Sequence, residues 1–531
     1  MSPMSVDAGE VPSIPRVPLA ALPWALFAAV LLALISCDLN VNPILDEEQW
    51  LQSGLATAHH HFLKTGMVSG PLYGLVLGLL FGGFYAVGLL FGAFTGTLDF
   101  VSWFLSHQSV FYFISRTLTA GIAAGGLAML ARTLRPRIGG FAASLIAVGF
   151  AFTVPVVDRI AYATPHGSMI GFSAALIAVL LRAREGGSPI PWMLAGAIVA
   201  AASTAITIGL GLGLLAFWGA WFPPAAGGSS SRSRRLGLML AGFLGGLGVF
   251  GYPILLNPRE YWMSNIQYQI SRQILTDEGG RGRLLHDWLL EGLTLWLAGL
   301  AGVLWGRFRE GRILAVGALV TATGYLFFLA VVTRSAQVSY SLAALPCLAY
   351  AASGLVEPLR RLKPHRGALA AAAVLLVPST LAARKVAQRL VELNPRVVSA
   401  ARVMSTQPPG TTLLVDTWYG PRLLHPRLLL ASYGKAGAEW YRDPGFRASL
   451  ERRLPQDHAA WTVIPFPAEL PIPDRTRLRT AGVDVVILSD VLKEREPAQG
   501  AWKALISDGT LQPIPPDAPG GVRFYRVAKD P

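Results

Sequence analysis

Charged side chains are scarce in this sequence, making up only 14% of its 531 residues. Soluble globular chains carry about a quarter. The deficit is uneven, because apolar runs of roughly 17–25 residues, the length of a membrane-spanning helix, recur from Val17 to Ala383. After Arg384 the composition is mixed. The pattern predicts a polytopic α-helical membrane protein, with a transmembrane domain over residues 1–383 and a small soluble α/β domain over residues 384–531.

Cysteine is nearly absent, since the chain contains only Cys37 and Cys347, each at or inside an apolar run. Without CxxC spacing a thiolate metal site has no support. HExxH and P-loop patterns are also missing, so hydrolytic zinc chemistry and ATP use have no motif. The formal net charge is +14, but the basic residues fall in short loops between apolar runs. We therefore expect membrane lipids, and no nucleic acid, as partners.

Arginine is concentrated in short segments that the positive-inside rule assigns to the cytoplasm: 132–137, 182–187, 232–235, 307–312 and 360–366. Acidic or balanced segments alternate with them, which predicts a multi-pass protein of the inner (plasma) membrane with a cytoplasmic N-terminus, an extracytoplasmic C-terminal domain and outer loops 38–109 and 256–287. About eleven crossings satisfy this rule: 17–37, 110–131, 139–157, 168–182, 190–204, 207–222, 236–255, 288–305, 313–332, 337–356 and 367–383.

The apolar run 70–94 has no crossing in this scheme, although it is long enough to span a bilayer. A single crossing there would move every later arginine-rich loop to the outside. We interpret it as a re-entrant or juxtamembrane segment, or a tight helical pair, since its many glycines suit backbone packed against protein. The alternative is an ordinary helix, with a crossing missed or added elsewhere.

Three consecutive acids, residues 46–48, follow the first apolar run. They begin a predicted amphipathic surface helix whose apolar residues recur near the helical period: Trp50, Leu51, Leu55, Ala58 and Phe62. Helix capping explains one acid, because a helix N-terminus favours anions. The histidines at 59–61 point about 100° apart on a helix, so they favour a polar face over a shared metal ion.

An Asp-Glu pair in the first outer loop, an amphipathic stretch ending in Gly and then "GPLY" (70–73) resemble the GT-C superfamily. These membrane glycosyltransferases use polyprenyl-phosphate sugars, and they include protein O-mannosyltransferases, aminoarabinose transferases and oligosaccharyltransferases. Segments 338–355 and 481–529 are similar to family members as well. The usual motif in that superfamily is Pro-Pro-Leu-Tyr-like, so this sequence has Gly70 in place of the first proline.

The resemblance implies a transferase that moves a sugar from a polyprenyl-phosphate donor to an extracytoplasmic protein, lipid or glycan. Such a reaction needs a base on the acceptor and cations on the departing phosphate. The resemblance places the catalytic carboxylate at Asp46, with Glu47 as the neighbouring alternative. The donor-phosphate ligands we predict on the same side are Arg116, Arg334 and Arg259, although an arginine at a helix end is also a common snorkelling anchor.

A third outer segment, 156–169, carries His166 where many family members have an acid that touches a metal or the acceptor. Asp158 lies two helical turns earlier, and Tyr268 belongs to a loop rich in sugar-binding residue types. These three are candidate acceptor, sugar or metal contacts. No cofactor is certain, and a divalent metal remains open. In the outer loop 256–287, which contains Tyr268, we interpret residues 276–283 as a mobile turn.

Two apolar runs in the C-terminal region, within 408–424 and 483–490, predict buried strands. Two other functions compete with the transferase. A transporter or flippase would place ionisable residues inside the spans, whereas here they cluster in loops. A non-catalytic scaffold for cell-envelope polysaccharide export would keep the layout and lose the chemistry.

Overall fold

The computed structural model describes most of the transmembrane region and parts of the C-terminal region. The described residues are 19–37, 39, 45–63, 70–153, 156, 159–160, 162–186, 188–223, 231–267, 280–306, 311–332, 341–360, 407–408, 410–416, 443–453, 462–466, 474–489, 498–514 and 522–528.

The first part of the chain is helical. Its α-helices are α1 Leu22–Ser36, α2 Leu45–His59, α3 Pro71–Leu90, α4 Thr97–Ser106, α5 Gln108–Ile138, α6 Gly140–Val148, α7 Pro165–Glu185, α8 Ile190–Ala205, α9 Leu212–Trp221, α10 Arg232–Phe250, α11 Tyr252–Leu256, α12 Pro258–Tyr261, α13 Gly280–Trp305, α14 Arg312–Phe327, α15 Ala344–Ala352 and α16 Val356–Arg360. Short 3-10 turns lie at Leu19–Ala21, Gly149–Phe152, Thr207–Gly211 and Ser353–Leu355, and π-helical turns at Trp262–Gln267 and Phe328–Val332.

One end of the helix bundle gathers the arginine-rich segments, and we call it the arginine end. Arg137 at the end of α5 forms an ion pair with Glu185 at the end of α7. Arg184 donates hydrogen bonds to backbone carbonyls in 219–223, just at the end of α9. Arg235 in the first turn of α10 donates to a carbonyl of the same turn of α9. Segments that the charge rule assigned to one side of the membrane therefore lie together.

The opposite end joins the last turn of α1, the first turn of α2, the beginning of α5 and the loop before α7. We call it the acidic end, because Glu47 lies at its centre. Successive bundle helices run alternately between the two ends: α8, for example, ends where Thr204 meets Gly70, and α9 returns to Ala220 beside Arg235. This alternation agrees with the predicted scheme over the described helices. The number of crossings stays a prediction, because 361–406 lies outside the described chain.

The apolar run that the scheme left without a crossing forms one continuous helix, α3. The tight helical pair is therefore wrong, and α3 is long and apolar enough to cross a membrane. Its contacts nevertheless keep it at the acidic end. The Tyr73 hydroxyl bonds to Thr119 Oγ1 at 2.7 Å, whereas Phe81, two turns later, meets Phe111 at 5.0 Å between ring centroids. As α3 advances, its contacts move back toward the beginning of α5 and away from the arginine end.

Helices long and apolar enough to span a bilayer are, among the described residues, α3, α5, α7 and the Arg312–Val331 stretch. Within the bundle α5 and α7 pack along each other. A Cβ atom on Gly126 would lie 2.0 Å from the carbonyl oxygen of Gly171, so only glycine allows this close backbone crossing. The predicted break between the crossings 190–204 and 207–222 is confirmed, since α8 ends at Ala205. The predicted turn is wrong over 280–283, where α13 has already begun.

The C-terminal region contains a five-stranded mixed sheet in the order β2-β1-β3-β5-β4. Strands β1 and β3 lie within the two segments predicted to be buried strands, β1 pairs parallel with β2 and β3, and β5 pairs antiparallel with β3 and β4. The elements are β1 Thr412–Asp416, α17 Pro444–Arg453, β2 Thr462–Phe466, α18 Arg475–Thr480, β3 Val485–Ser489, α19 Ala498–Ser507, β4 Leu511–Pro513 and β5 Val522–Val527.

Candidate functional site

The acidic run occupies the first turn of α2, as predicted, because α2 begins at Leu45. Its apolar stripe is buried: Trp50 is 7% exposed, Leu51 0% and Leu55 5%. The helix packs against α3 and is buried from Trp50 to Thr57, including the polar side chains Gln52, Ser53 and Thr57, so the predicted position of α2 on the membrane surface is wrong. The backbone of Asp46 and Glu48 is placed beside Glu47, while their side chains lie outside what the structure describes.

Glu47 is completely buried, at 0% exposure. Both of its carboxylate oxygens accept hydrogen bonds from the Arg116 guanidinium, Nε to Oε1 and Nη2 to Oε2, each at 2.9 Å. The backbone N–H of Ala163 donates a further bond to Oε1 at 2.6 Å. A buried carboxylate is stable only with such charged and polar partners. Glu47 thus joins α2, α5 and the loop before α7.

Arg116 is 1% exposed, and its remaining donors reach α1. Nη1 donates to the carbonyl of Cys37 and, at 3.5 Å, to that of Ile35, the last carbonyls of that helix. The bidentate fork of arginine suits a carboxylate as well as a phosphate. Sequence reasoning assigned Arg116 to the donor phosphate; the structure gives its guanidinium a carboxylate partner and binds it to the end of α1.

A layer of hydroxyl groups lies next to this ion pair. The Tyr73 hydroxyl meets the Ser115 carbonyl at 3.1 Å as well as Thr119 Oγ1. Thr119 Oγ1 in turn lies 3.2 Å from the carbonyl of Thr164. All four residues are buried, so α3, α5 and the loop before α7 share a second polar contact. Tyrosine in "GPLY" therefore closes the site from the α3 side.

Of the other predicted site residues, two lie in the described part of the chain and three do not. His166 is buried in the first turn of α7, three residues after the Ala163 amide that binds Glu47. Arg259 lies in α12 and is exposed. Asp158, Tyr268 and Arg334 lie outside the described residues. In the described ranges no group of three His, Cys, Asp or Glu side chains is placed to hold a metal ion, so the metal stays a prediction.

Solved structures share this architecture over nearly the whole chain. ArnT from Cupriavidus metallidurans in the apo state matches with a TM-score of 0.56 and 16% identity, covering 95% of this chain and 98% of ArnT. The same protein bound to undecaprenyl phosphate matches with a TM-score of 0.53 and 15% identity, with the same coverage. ArnT is an aminoarabinose transferase of the GT-C superfamily. The chain has the GT-C fold.

A weaker match is the archaeal oligosaccharyltransferase AglB from Archaeoglobus fulgidus, in complex with an inhibitory peptide and a dolichol-phosphate. Its TM-score is 0.48 at 12% identity, and the match covers 96% of this chain and 74% of AglB. No family model and no curated protein sequence matches the chain. The GT-C likeness is thus one of fold, and with its apolar helices the chain is a multi-pass membrane protein.

The departure from the usual GT-C motif at Gly70 has a steric cause. A Cβ atom on Gly70 would lie 2.0 Å from the carbonyl oxygen of Thr204 and 2.4 Å from its carbonyl carbon. The backbone entering α3 is pressed against the end of α8, and this leaves no room for a proline ring. The sequence shows that the proline is missing but not why, because the contact joins segments far apart in the chain.

The triple histidine terminates α2. His59 and His61 are exposed, and His61 and Phe62 both have positive φ angles, 50° and 64°. Residues other than glycine adopt this conformation rarely, and the surrounding contacts must hold it. One such contact is the Tyr252 hydroxyl, which donates to the Phe62 carbonyl at 2.5 Å. Partial burial, and then the charges of His60 and His61, lower the pKa of His59 from its usual 6.5.

Proposed function

We propose that this protein is an integral-membrane glycosyltransferase that moves a sugar from a polyprenyl-phosphate donor to an acceptor at the acidic end. The observation that carries the proposal is the Glu47–Arg116 ion pair, built into the acidic turn at the beginning of α2, in a chain whose fold matches that of ArnT. Such a buried bidentate pair is costly unless the protein needs that geometry. ArnT has been solved with undecaprenyl phosphate bound, which supports the choice of donor.

In the proposed reaction an acceptor hydroxyl attacks the anomeric carbon of the sugar and forms the new glycosidic bond. The bond from that carbon to the lipid phosphate oxygen breaks, and the phosphate leaves with the electron pair. Asp46 takes the proton of the hydroxyl as general base. Glu47 does not suit this role, because its two oxygens are buried and bound to Arg116 and to the Ala163 amide. We assign Glu47 to holding the first turn of α2 in place.

The departing phosphate requires positive charge that is accessible from solvent or membrane. Arg116 is buried against Glu47, so we assign it the positioning of α2. Arg259 is exposed and Arg334 follows the end of α14, and both stay proposed phosphate ligands. On the acceptor side we retain His166, Asp158 and Tyr268, with a divalent metal as an open addition.

The membrane orientation belongs to the same proposal. The arginine end faces the cytoplasm under the positive-inside rule, and the acidic end faces outward. Residues 384–531 then form an extracytoplasmic domain, since α17 contacts α4 at the acidic end. The N-terminus is cytoplasmic, because α1 runs from the arginine end to Cys37 beside Arg116.

Transfer from a labelled donor tests the chemistry. Purified protein in nanodiscs is mixed with a panel of undecaprenyl-phosphate sugars and cell-envelope acceptors. We expect Asp46→Asn to lose roughly 10²–10⁴-fold in kcat. The matched control Glu48→Gln changes the next-but-one carboxylate and keeps activity within about threefold. Full activity of Asp46→Asn would exclude this residue as the base, and absence of transfer from every polyprenyl-phosphate sugar would overturn the transferase.

Topology is tested separately by cysteine labelling. Both native cysteines are buried, so they give little background toward a membrane-impermeant maleimide. A cysteine introduced by Asp46→Cys in intact cells should react with reagent added outside, and one introduced by Arg234→Cys only after the cells are opened. Labelling of the two positions in the reverse order would contradict the orientation and, with it, the extracytoplasmic acceptor.

A further inference from the structure

A helix of the C-terminal region inserts a side chain into the aromatic cluster at the acidic end. Leu450 of α17 is 0% exposed and belongs to the buried apolar cluster formed by α2, α3, α4 and α5, and α17 itself packs on α4. Phe446, one turn earlier, packs against the same cluster. We define the aromatic cluster by its rings on α3, on the turn that follows it, and on α4 and α5: Phe81, Phe84, Phe94, Phe100, Trp103, Phe104 and Phe111.

Polar groups fix the direction of this contact. Arg453 at the end of α17 forms an ion pair with Asp99 in the first turn of α4. The other carboxylate oxygen of Asp99 accepts the backbone N–H of Thr95 at 3.0 Å, which holds the carboxylate in place. Ser102 Oγ donates to the Arg453 carbonyl at 3.4 Å. An apolar anchor and a charged pair one turn away thus bind α17 to α4 in one register.

The aromatic cluster continues without a gap from this contact to the acidic helix. Phe104 on α4 lies 6.0 Å from Phe81 on α3, measured between ring centroids. Phe81 is so close to α2 that a Cβ atom on Gly54 would lie 3.0 Å from its ring. Glu47 stands two helical turns before Gly54 on the same helix. Close-packed interiors shift as units, so displacement of α4 has to be accommodated at α2.

We propose that α17 is a latch, and that Leu450 and Arg453 are positioning residues for the transfer reaction. By docking on α4 they hold α3 and α2, and therefore the acidic turn, in the arrangement where Glu47 meets Arg116. This inference rests on the proposed function, since it assigns to the C-terminal region a part in the same reaction. Neither residue contacts the carboxylate itself, so their effect is transmitted through packing.

Hydrogen exchange tests the latch by a measurement that does not depend on transfer activity. In the full chain in nanodiscs, Leu450→Ala should raise amide exchange in α4 and the first half of α2 by about tenfold or more, because it removes a fully buried side chain. Leu450→Met, which nearly conserves the volume, should stay close to wild type. Arg453→Glu should raise exchange roughly two- to fivefold, since the ion pair is partly exposed, and adding Asp99→Arg should restore protection.

Kinetics distinguishes a positioning role from a structural one. Per folded molecule, Leu450→Ala should lower kcat about tenfold and leave the donor KM within about threefold. Arg477→Gln removes the arginine of a similarly exposed ion pair in α18, away from α4, and should change neither quantity. The latch would be overturned if Leu450→Ala left kcat per folded molecule unchanged. It would also be overturned if the amide exchange rate of α4 were the same in wild type and in all Leu450 and Arg453 variants.

The two proposals fail in different ways. If no polyprenyl-phosphate sugar is transferred by the wild-type protein, the proposed function fails, and the exchange data alone decide whether α17 holds α4. If wild-type transfer is robust and the charge-swapped pair Asp99→Arg with Arg453→Glu shows no recovery of protection or kcat over the single variants, the latch fails and the transferase stands.

Discussion

Two buried arginines, one at each end of the bundle, have opposite kinds of partner. Arg116 at the acidic end binds a carboxylate, Glu47, through two parallel hydrogen bonds. Arg184 at the arginine end donates hydrogen bonds to backbone carbonyls, those of Gly219, Phe222 and Pro223. The second arrangement completes the exposed carbonyls at a helix C-terminus. The first places two formal charges at buried positions, an arrangement that helix capping alone does not require.

This difference shows at which end of the bundle the positions of the helices depend on particular side chains. At the arginine end, the Arg184 guanidinium binds backbone carbonyls, which every helix possesses whatever its sequence. At the acidic end a particular carboxylate, a particular guanidinium and the Ala163 amide must coincide. We therefore expect substitutions at the acidic end to affect activity and stability together, and those at the arginine end to affect stability alone.

The largest effect should come from Arg116→Gln. It leaves Glu47 buried without its cation, which costs about 3–5 kcal/mol of stability and with it most of the transfer activity. The measurement is thermal unfolding in nanodiscs together with labelled-sugar transfer. Arg116→Lys keeps the charge but not the bidentate fork, so it should recover only part of the loss.

The double variant Glu47→Gln with Arg116→Gln sharpens this comparison. Removing both charges avoids an uncompensated buried ion, so the double variant should be more stable than Arg116→Gln alone. Its kcat should stay low, because the first turn of α2 loses its anchor. A double variant with normal kcat would mean that the pair supports folding and nothing else.

Arg184→Gln provides the matched change at the other end. It removes hydrogen bonds from a cation to three carbonyls, and we expect a loss of about 1.5–3 kcal/mol in stability. The kcat of the folded fraction should equal that of wild type. A fall in kcat comparable to that of Arg116→Gln would erase the distinction between the two ends.

Gly70→Ala tests how tightly α3 is held at the acidic end. The new methyl group would meet the Thr204 carbonyl at 2.0 Å, so the backbone must shift, at a cost of about 1–3 kcal/mol. Gly83→Ala in the same helix is the control, since a Cβ there has no neighbour within 4 Å. The control should be neutral or stabilising by up to about 1 kcal/mol. Equal thermal stability of the two variants would contradict the close approach.

The smallest expected effect is a pH dependence at the end of α2. The pKa of His59 is lower in the folded protein than its usual 6.5, so the unfolded chain binds the proton more readily. The stability contribution is fully present above pH 6.5 and is lost as the pH falls through the folded-state pKa. Thermal unfolding between pH 7.5 and 5 should show a slightly smaller decline in His59→Gln than in wild type. Identical curves would exclude His59 as the source.

Sequence reasoning identified what depends on local periodicity. The helix that begins at the acidic run, the break after Ala205 and the strands β1 and β3 lie where the patterns predicted them, because each depends on residues close together in the chain. Alternation of charge between loops likewise predicted which segments meet at the arginine end. These are properties of neighbours in the chain.

The partner of Arg116 could not be predicted in this way. Glu47 lies 69 residues away in sequence, and an arginine at a helix end serves a phosphate, a carboxylate or a lipid headgroup with the same pattern of letters. The contact of Arg453 with Ser102 spans 351 residues. The early start of α13 at Gly280 was missed for another reason, since glycines usually interrupt helices and here they begin one.

The glycine crossing of α5 and α7 restricts how the protein can move. With Gly126 against Gly171 the two main chains touch, so sliding one helix past the other would drive carbonyls into Cα atoms. The two helices therefore form a rigid unit, which extends roughly 46 Å along α5, from Gln108 to the arginines of its last turn. In the proposed reaction, any opening that admits a lipid donor to the acidic end therefore has to come from segments other than α5 and α7.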